Sequence, residues 1–427
     1  MSISKFRFKE IVLISFCLLF SAILYYRDIT GANFNKMYLV VATICAAVLL
    51  DYKCLLYLLC FIFPLSCGIP SNYIYPLLIL ILLLKDNTLC FRKIIFFVVI
   101  LFLEIIHYAF YTFDIEIAEI VGYSSFLFLL SYIVADNSKD LNHGKCLLYF
   151  CCGVGVLLLG IVMNTNILLE QMPEVNEGLR IGETKNLGDF DEQRMMLSLN
   201  ANTIGYYSIA AISCLLVLQY YRKINIILFL ILIAITFYGG ILSISRTWAL
   251  LLVVSVITYM IMMKQDRAKG LIMIAIFCVG ALVFIAKNPM ILDSFMERFI
   301  GDATNLATAG DRTTIFQQYN DYLANNPISL IFGTGAVYYG EVTRLELSTH
   351  NATQQILVSY GLLGLGIFIV ALFKSIKKHF NNKNLMAILP LFIMILFVQT
   401  IQILNPYYLM CPIIVAFFAL KMGASRY

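Results

Sequence analysis

Charge is what this chain has least of. Asp, Glu, Lys and Arg make up 13% of its 427 residues, against roughly 25% in an average soluble domain, and only four histidines add to them. So sparse a polar surface excludes a soluble globular protein. The chain also lacks a basic run dense enough for nucleic acid, and its net charge of +5 has a topological explanation given below. A transmembrane barrel would need short segments alternating between apolar and polar residues, and that alternation is absent. What is present is apolar residue in bulk, 61% of the chain, arranged in long runs.

Such runs predict helices that cross a bilayer, because only a helix satisfies its own backbone hydrogen bonds across about 30 Å of hydrocarbon. They fall near 10–26, 37–50, 54–66, 72–84, 94–112, 117–135, 146–163, 203–221, 224–243, 247–263, 270–287, 351–373, 385–401 and 406–420. The expected fold is therefore an all-α polytopic membrane protein of about 12–14 transmembrane helices. Lys5, Arg7 and Lys9 precede the first run with no small-residue cleavage site after it, so it reads as a retained signal-anchor. Most Lys and Arg fall in alternate connections, for example Lys264, Arg267 and Lys269, then Lys374, Lys377, Lys378 and Lys383. The positive-inside rule then puts both termini in the cytoplasm.

Twelve cysteines suggest a disulfide scaffold at first sight, but ten of them, such as Cys60, Cys151 and Cys214, sit in or beside apolar runs. Neither long polar segment contains a cysteine, so small buried hydrophobes are the better reading.

Five parts follow: N-terminal helices over 1–163, a large outside loop over 164–202, central helices over 203–287, a second large outside loop over 288–350, and C-terminal helices over 351–427. The spacing in RTTIFQQYNDYLANN, 312–326, predicts a helix inside the second loop, followed by the turn-rich FGTGAVYYG. Two polar segments on one side of an otherwise apolar chain place the working face there.

That face is rich in arginine where the other is rich in lysine. It carries Arg180, Arg194, Arg246, Arg298, Arg312 and Arg344 with Lys185 and Lys287, and His350 is its one histidine. A guanidinium stays charged and donates paired hydrogen bonds, which suits a diphosphate. Arg246 is the sole charge between Lys223 and Lys264. At the turn between two spans it avoids the roughly 2.5–3.5 kcal/mol cost of an arginine at a helix centre. A snorkelling or capping role is the plain alternative.

SISRTWALLL, then DRTTIFQQY and NPISLIFGTG within a long outer loop, then THNATQQILVSYGLLGLGIF resemble the signature region of the O-antigen polymerase and O-antigen ligase superfamily of bacterial membrane glycosyltransferases. LSLNANTIGYY resembles the helix start after the family's first periplasmic loop, and the Arg194 to Gly205 spacing resembles that of polymerase loops. The motif-level resemblance covers roughly 178–370. It implies an inverting-type glycosyltransferase of the bacterial inner membrane in lipopolysaccharide biosynthesis. The donor would be an oligosaccharide on undecaprenyl diphosphate, with no cofactor and no metal. A polymerase moves the growing glycan onto a lipid-linked repeat unit, and a ligase moves it onto lipid A core. Membrane lipid and a chain-length regulator protein are the further partners, and nucleic acid is not one.

On that reading Arg246 and Arg312 meet the donor diphosphate, whose leaving group gains charge in the transition state. Thr349 caps the twelfth span, so His350 lies at a helix N-terminus whose dipole favours a neutral imidazole able to accept the acceptor hydroxyl's proton. Arg180, Arg194, Asn202, Asn351 and Arg344 are the substrate-binding candidates. The plain alternative for His350 and Asn351 is that they only cap a helix. Asp189 and Asp191 offer a weaker metal reading. Glu104 and His107 share a face one turn apart in the fifth span, as a functional pair or a helix contact. A flippase would carry charge through several spans, and here Glu104 is nearly alone. The longer count of spans and the Arg194 spacing favour polymerase over ligase.

Overall fold

A chain in hydrocarbon has no water to bond its amides, and this one answers with helices alone: the described residues contain no strand. The computed structural model describes residues 3–32, 35–86, 91–110, 117–135, 141–171, 199–263, 293, 296, 306–337, 339–345, 348–380, 384–404 and 406–424. The helices are α1 (Ile3–Thr30), α2 (Met37–Leu49), α3 (Tyr52–Ile62), α4 (Ser71–Lys85), α5 (Phe91–Phe110), α6 (Ile117–Ala135), α7 (His143–Gln171), α8 (Ala201–Tyr220), α9 (Ile226–Leu242) and α10 (Arg246–Met262). They continue with α11 (Leu306–Asn325), α12 (Pro327–Phe332), α13 (Tyr339–Thr343), α14 (Ala352–His379), α15 (Leu389–Phe397) and α16 (Cys411–Ala424). Five segments are long and apolar enough to cross a membrane: Phe8–Thr30, His143–Thr165, Ala201–Tyr220, Ala352–His379 and Tyr407–Ala424. Shorter apolar helices fill in around them. The protein is an all-α polytopic membrane protein.

Polar residues at the edges of the apolar runs start the helices. Asp51 caps α3 by accepting from Cys54 N at 3.0 Å, Asn200 caps α8 by accepting from Thr203 N at 2.8 Å, and Asn225 caps α9 by accepting from Ile227 N at 2.8 Å. Some runs are not plain α-helix. The run expected over 54–66 passes from α3 into a 3-10 turn, Phe63–Gly68, where Pro64 has no N–H to give. The expected span over 270–287 lies outside the described residues.

Helix α8 forms the centre, buried along nearly its whole length among α7, α9, α10, α15 and α16. The two ends of the bundle differ. At one, Lys9 pairs with Asp51 at 2.8 Å and Lys145 with Glu10, tying α1 to α3 and α7 with half-exposed bridges worth at most about 1 kcal/mol each. At the other lie the starts of α8, α10 and α14. Tyr206 on α8 packs at a tilt on Phe397, 5.1 Å between centroids, and two residues on Gln399 meets Asn351 and Thr353. This second end carries α11, α12 and α13 and is the loop end.

Candidate active site

The helix expected from THNATQQ onward is broken by its own sequence. Gly361 has φ 64° and ψ −169°, which no helix residue adopts, so α14 is two helices joined at a kink. The break frees the Val358 and Ser359 carbonyls, and the FGTGA segment takes them. Thr334 N donates to Val358 O at 2.9 Å, Gly335 N donates to Ser359 O at 2.8 Å, and Thr334 Oγ1 donates to Val358 O at 3.1 Å. Gly333, with φ 83°, faces the same junction: a Cβ there would lie 2.2 Å from Ser359 O, and one on Gly361 would lie 2.2 Å from Ile331 O. Both glycines are required by conformation and by space.

Helix α5 clamps this irregular backbone from the other side. Glu104, fully buried, accepts from Ala336 N with both carboxyl oxygens at 3.0 Å and from Val337 N at 3.4 Å, while Tyr108 donates its hydroxyl to it at 2.7 Å. His107 Nε2 lies 2.9 Å from Phe332 O, which fixes that nitrogen as the donor. The shared face of Glu104 and His107 is thus a dock for residues 332–337, a partner 225 or more positions away that sequence spacing alone does not reveal. Tyr123 and Tyr360 hydroxyls meet beside it.

Residues 312–325 are helical as expected, within α11. Ile315, Tyr319 and Leu323 pack on Tyr339 and Val358, so α11 lies across the upper half of α14. Arg312 is exposed near the start of α11, and Arg344, exposed with φ 57°, follows α13. Neither guanidinium makes a hydrogen bond or ion pair among the described residues.

The run from Thr349 to Gln355 is almost entirely consumed in structure. The cap of α14 is Asn351 and not Thr349: its Oδ1 accepts from Gln354 N at 2.9 Å and its Nδ2 donates to Gln399 O at 3.1 Å. Thr349 is buried one residue before His350 and two before the cap. Thr353 donates to Gln399 Oε1 at 2.8 Å, Gln354 donates to Phe316 O at 2.9 Å, and Gln355 Oε1 accepts from Ile403 N at 2.7 Å and Leu404 N at 2.9 Å. His350 is different. It is exposed, its φ is 48°, and its ring has one long contact, 3.4 Å from Nε2 to Ser348 Oγ. A non-glycine residue held at positive φ is uncommon and costs energy, which the fold supplies through the neighbours on either side. Crowding by neighbours, and then the positive charge of Arg312, lowers the His350 pKa below its ordinary 6.5. Both causes favour the neutral imidazole that the sequence led us to expect at this helix start.

Arg246 begins α10 at the turn after α9, as expected, and is exposed. The turn is tight: Ile244 has φ 46°, and Ser245 caps α10 by accepting from Trp248 N. Gly205 on α8 admits this turn, since a Cβ there would meet Ser245 Cβ at 3.1 Å and Trp248 Cβ at 3.3 Å. Asn202, half-buried, lies one turn earlier on α8, so it and Arg246 flank the same helix contact. Arg246, Arg312, Arg344, His350 and Asn351 therefore share the loop end. Arg180, Arg194, Arg298, Asp189 and Asp191 lie outside the described residues. Among those described, no three His, Cys, Asp or Glu side chains gather as a metal site.

One more feature reaches this end. A groove of about 1260 Å³ runs along α14 against α5, α6, α15 and α16, walled by residues such as Phe96, Leu130, Ile356, Phe368 and Ile395. Thr353 and Gln399 stand at its loop end and Lys374, Lys377 and Lys378 at the other.

Fold and site together define an integral membrane protein that gathers Arg246, Arg312, Arg344 and His350 at one end of a helical bundle. Residues 231–369 match the family model described as O-antigen ligase, from within α9 through the kink of α14, with Arg246, Arg312, Arg344, His350 and Asn351 all inside the match. The match, about a third of the chain, supports the O-antigen polymerase and ligase superfamily and does not separate its two activities; members of the family are membrane glycosyltransferase-like enzymes. No curated protein and no solved structure matches the chain.

Proposed function

We propose that the protein is an O-antigen polymerase of a bacterial inner membrane, transferring a growing glycan from undecaprenyl diphosphate to a lipid-linked repeat unit at the periplasmic face. The observation that carries the proposal is His350 beside the positive charge of Arg312, exposed and with no closer contact for its ring than the 3.4 Å approach to Ser348.

In the proposed reaction the acceptor hydroxyl attacks the anomeric carbon of the donor as the bond from that carbon to the diphosphate oxygen breaks. The neutral His350 imidazole takes the hydroxyl proton. Arg246 and Arg312 face the charge that grows on the departing diphosphate, where fixed cations stabilise the transition state more than the ground state. Attack opposite the leaving group inverts the anomeric centre. Arg344, Arg180, Arg194, Asn202 and Asn351 are assigned to the glycan and diphosphate around it, with Asn351 also capping α14. The apolar groove beside Thr353 suits the carrier's hydrocarbon chain.

The ligase reading has its own support in the matched family's description. Lipopolysaccharide from a deletion strain separates them: loss of a polymerase leaves core bearing a single repeat unit, and loss of a ligase leaves bare core. Reporter fusions after Tyr319 and after Gln265 test the orientation, with periplasmic and cytoplasmic signals expected in that order.

A further inference from the structure

The N-terminal helices contribute a second cavity at the loop end, bordered by Val337 of the docked segment. It measures about 430 Å³, within the range of about 300–1,000 Å³ typical of small-molecule sites. Its walls come from the turn into α4, from α6, and from the segment before α16, with Val337 and Leu404 on the side shared with the candidate active site. The sequence motifs single out none of these residues.

The lining is unusual for a membrane bundle. Four tyrosines, Tyr73, Tyr123, Tyr407 and Tyr408, border a space that also takes in Asn72 and Glu119. Tyr73 is 64% exposed, so most of its surface is open at the rim. Asn72 is held in one orientation: Tyr407 donates its hydroxyl to Asn72 Oδ1 at 2.5 Å, and both rest on Gly122, where a Cβ would lie 2.5 Å from that oxygen and 2.6 Å from the Tyr407 ring. With its oxygen engaged, the Asn72 amide NH2 is left with no partner among the described residues.

The floor is stiff. Arg27, buried beside Asp28 at 2.5 Å, donates from Nη1 to the Gly68 carbonyl at 2.5 Å, and Ser71 Oγ donates to Ser66 O at 2.7 Å, so the chain from 66 to 72 is pinned before α4 begins. On the other side Gln355 accepts from the 403 and 404 amides, and Glu104 accepts from Val337 N. The cavity and the His350 helix thus share rigid walls.

An exposed aromatic face, an oriented amide donor and a carboxylate around a small pre-formed space match one ligand chemistry well: a pyranose, which presents an apolar C–H face and a ring of hydroxyls that both donate and accept. A phosphate would want cations in the lining, and Lys36 is the one that faces it. A lipid chain would want hydrocarbon walls throughout, as in the long groove, whereas here Asn72, Glu119 and the tyrosine hydroxyls interrupt the apolar lining. We propose that this cavity is a saccharide subsite, stacking a sugar of the glycan on Tyr73 and fixing its hydroxyls through Asn72 and Glu119. The assignment rests on the glycan-transfer reading above and adds to it a site on the N-terminal helices.

The test uses the full chain in nanodiscs and, as probe, the oligosaccharide released by mild acid from the source organism's lipid-linked glycan, observed by saturation-transfer NMR. Wild type is expected to show transfer to the sugar protons, and Tyr73→Ala and Asn72→Leu each to weaken binding about tenfold, the size of one lost aromatic or hydrogen-bonded contact. Tyr73→Ala removes an exposed ring, so normal membrane levels keep the comparison clean. Absence of a signal with wild type, or equal binding by both variants, overturns the subsite. His350→Ala is expected to bind the probe as wild type does while losing transfer. If instead His350→Ala transfers normally, the active-site reading fails and the binding result judges the cavity by itself.

Discussion

Arg312 and His350, thirty-eight positions apart in sequence, are close enough in space for the guanidinium to disfavour the imidazolium. The helix that carries one lies across the helix that follows the other, and Gln354 holds them in register through Phe316 O.

This pairing sets a pH profile. With its pKa lowered, His350 stays a free base down to pH values below 6.5, and transfer that needs the base is lost only as pH falls through that lowered pKa. Arg312→Gln removes one of the two causes, so the acid limb of kcat/KM should move to higher pH while the overall rate falls. An acid limb that stays in place would mean His350 is not the titrating group.

Arg246 is predicted to act through its fork and not its charge alone. Arg246→Lys should lose much of the activity, and Arg246→Ala more, on the order of 2–5 kcal/mol if the contact is desolvated. Both variants should reach the membrane at near-normal levels. Full polymer ladders on gels from Arg246→Ala at normal expression would reduce it to an interfacial anchor.

Gly361→Ala should destabilise the protein by about 1–3 kcal/mol from the backbone conformation alone, with a further cost from the approach to Ile331 O. Thermal unfolding in detergent measures it. Gly366, which has open space around it, is the control: Gly366→Ala should leave the midpoint nearly unchanged.

Glu104→Ala leaves the buried Ala336 N–H without its acceptor, at a cost of about 1–3 kcal/mol, and should loosen residues 332–337. Glu104→Gln keeps one acceptor oxygen and should lose less. Amide exchange over 332–337, compared between the two variants, reads this directly; equal protection in both would show that the carboxyl is not what holds the loop.

Much of this architecture was open to sequence reasoning because its causes are local. The apolar runs, the helix at 312–326, the turn at 333–335 and the place of Arg246 between α9 and α10 all follow from composition over a few turns. What was hidden depends on partners far along the chain. Glu104 and His107 showed their common face but not the backbone they hold. Gln354 and Gln355 are amides inside an apolar helix, a signal that they bond across helices, yet nothing in their neighbourhood points to 316 or 403. The cap at Asn351 was misplaced by two residues, since Thr, His and Asn in succession offer competing caps. The kink had a signature in Gly361, but glycine in an apolar helix is too common there to mark a break by itself.

That kink divides α14 into parts with different mechanical company. The upper part, with His350 at its head, is bolted to α11 by Gln354 and to the 399–404 segment by Asn351, Thr353 and Gln355. The lower part presents Leu362, Ile369, Val370 and Phe373 outward and ends in Lys377 and Lys378. A single glycine between them, held at φ 64°, interrupts the helical hydrogen bonding. The lower shaft packs on α5 through Phe368 and Phe96 instead, so a tilt imposed on it by a thicker or thinner bilayer would leave the spacing of the reacting groups to bonds that the shaft does not share.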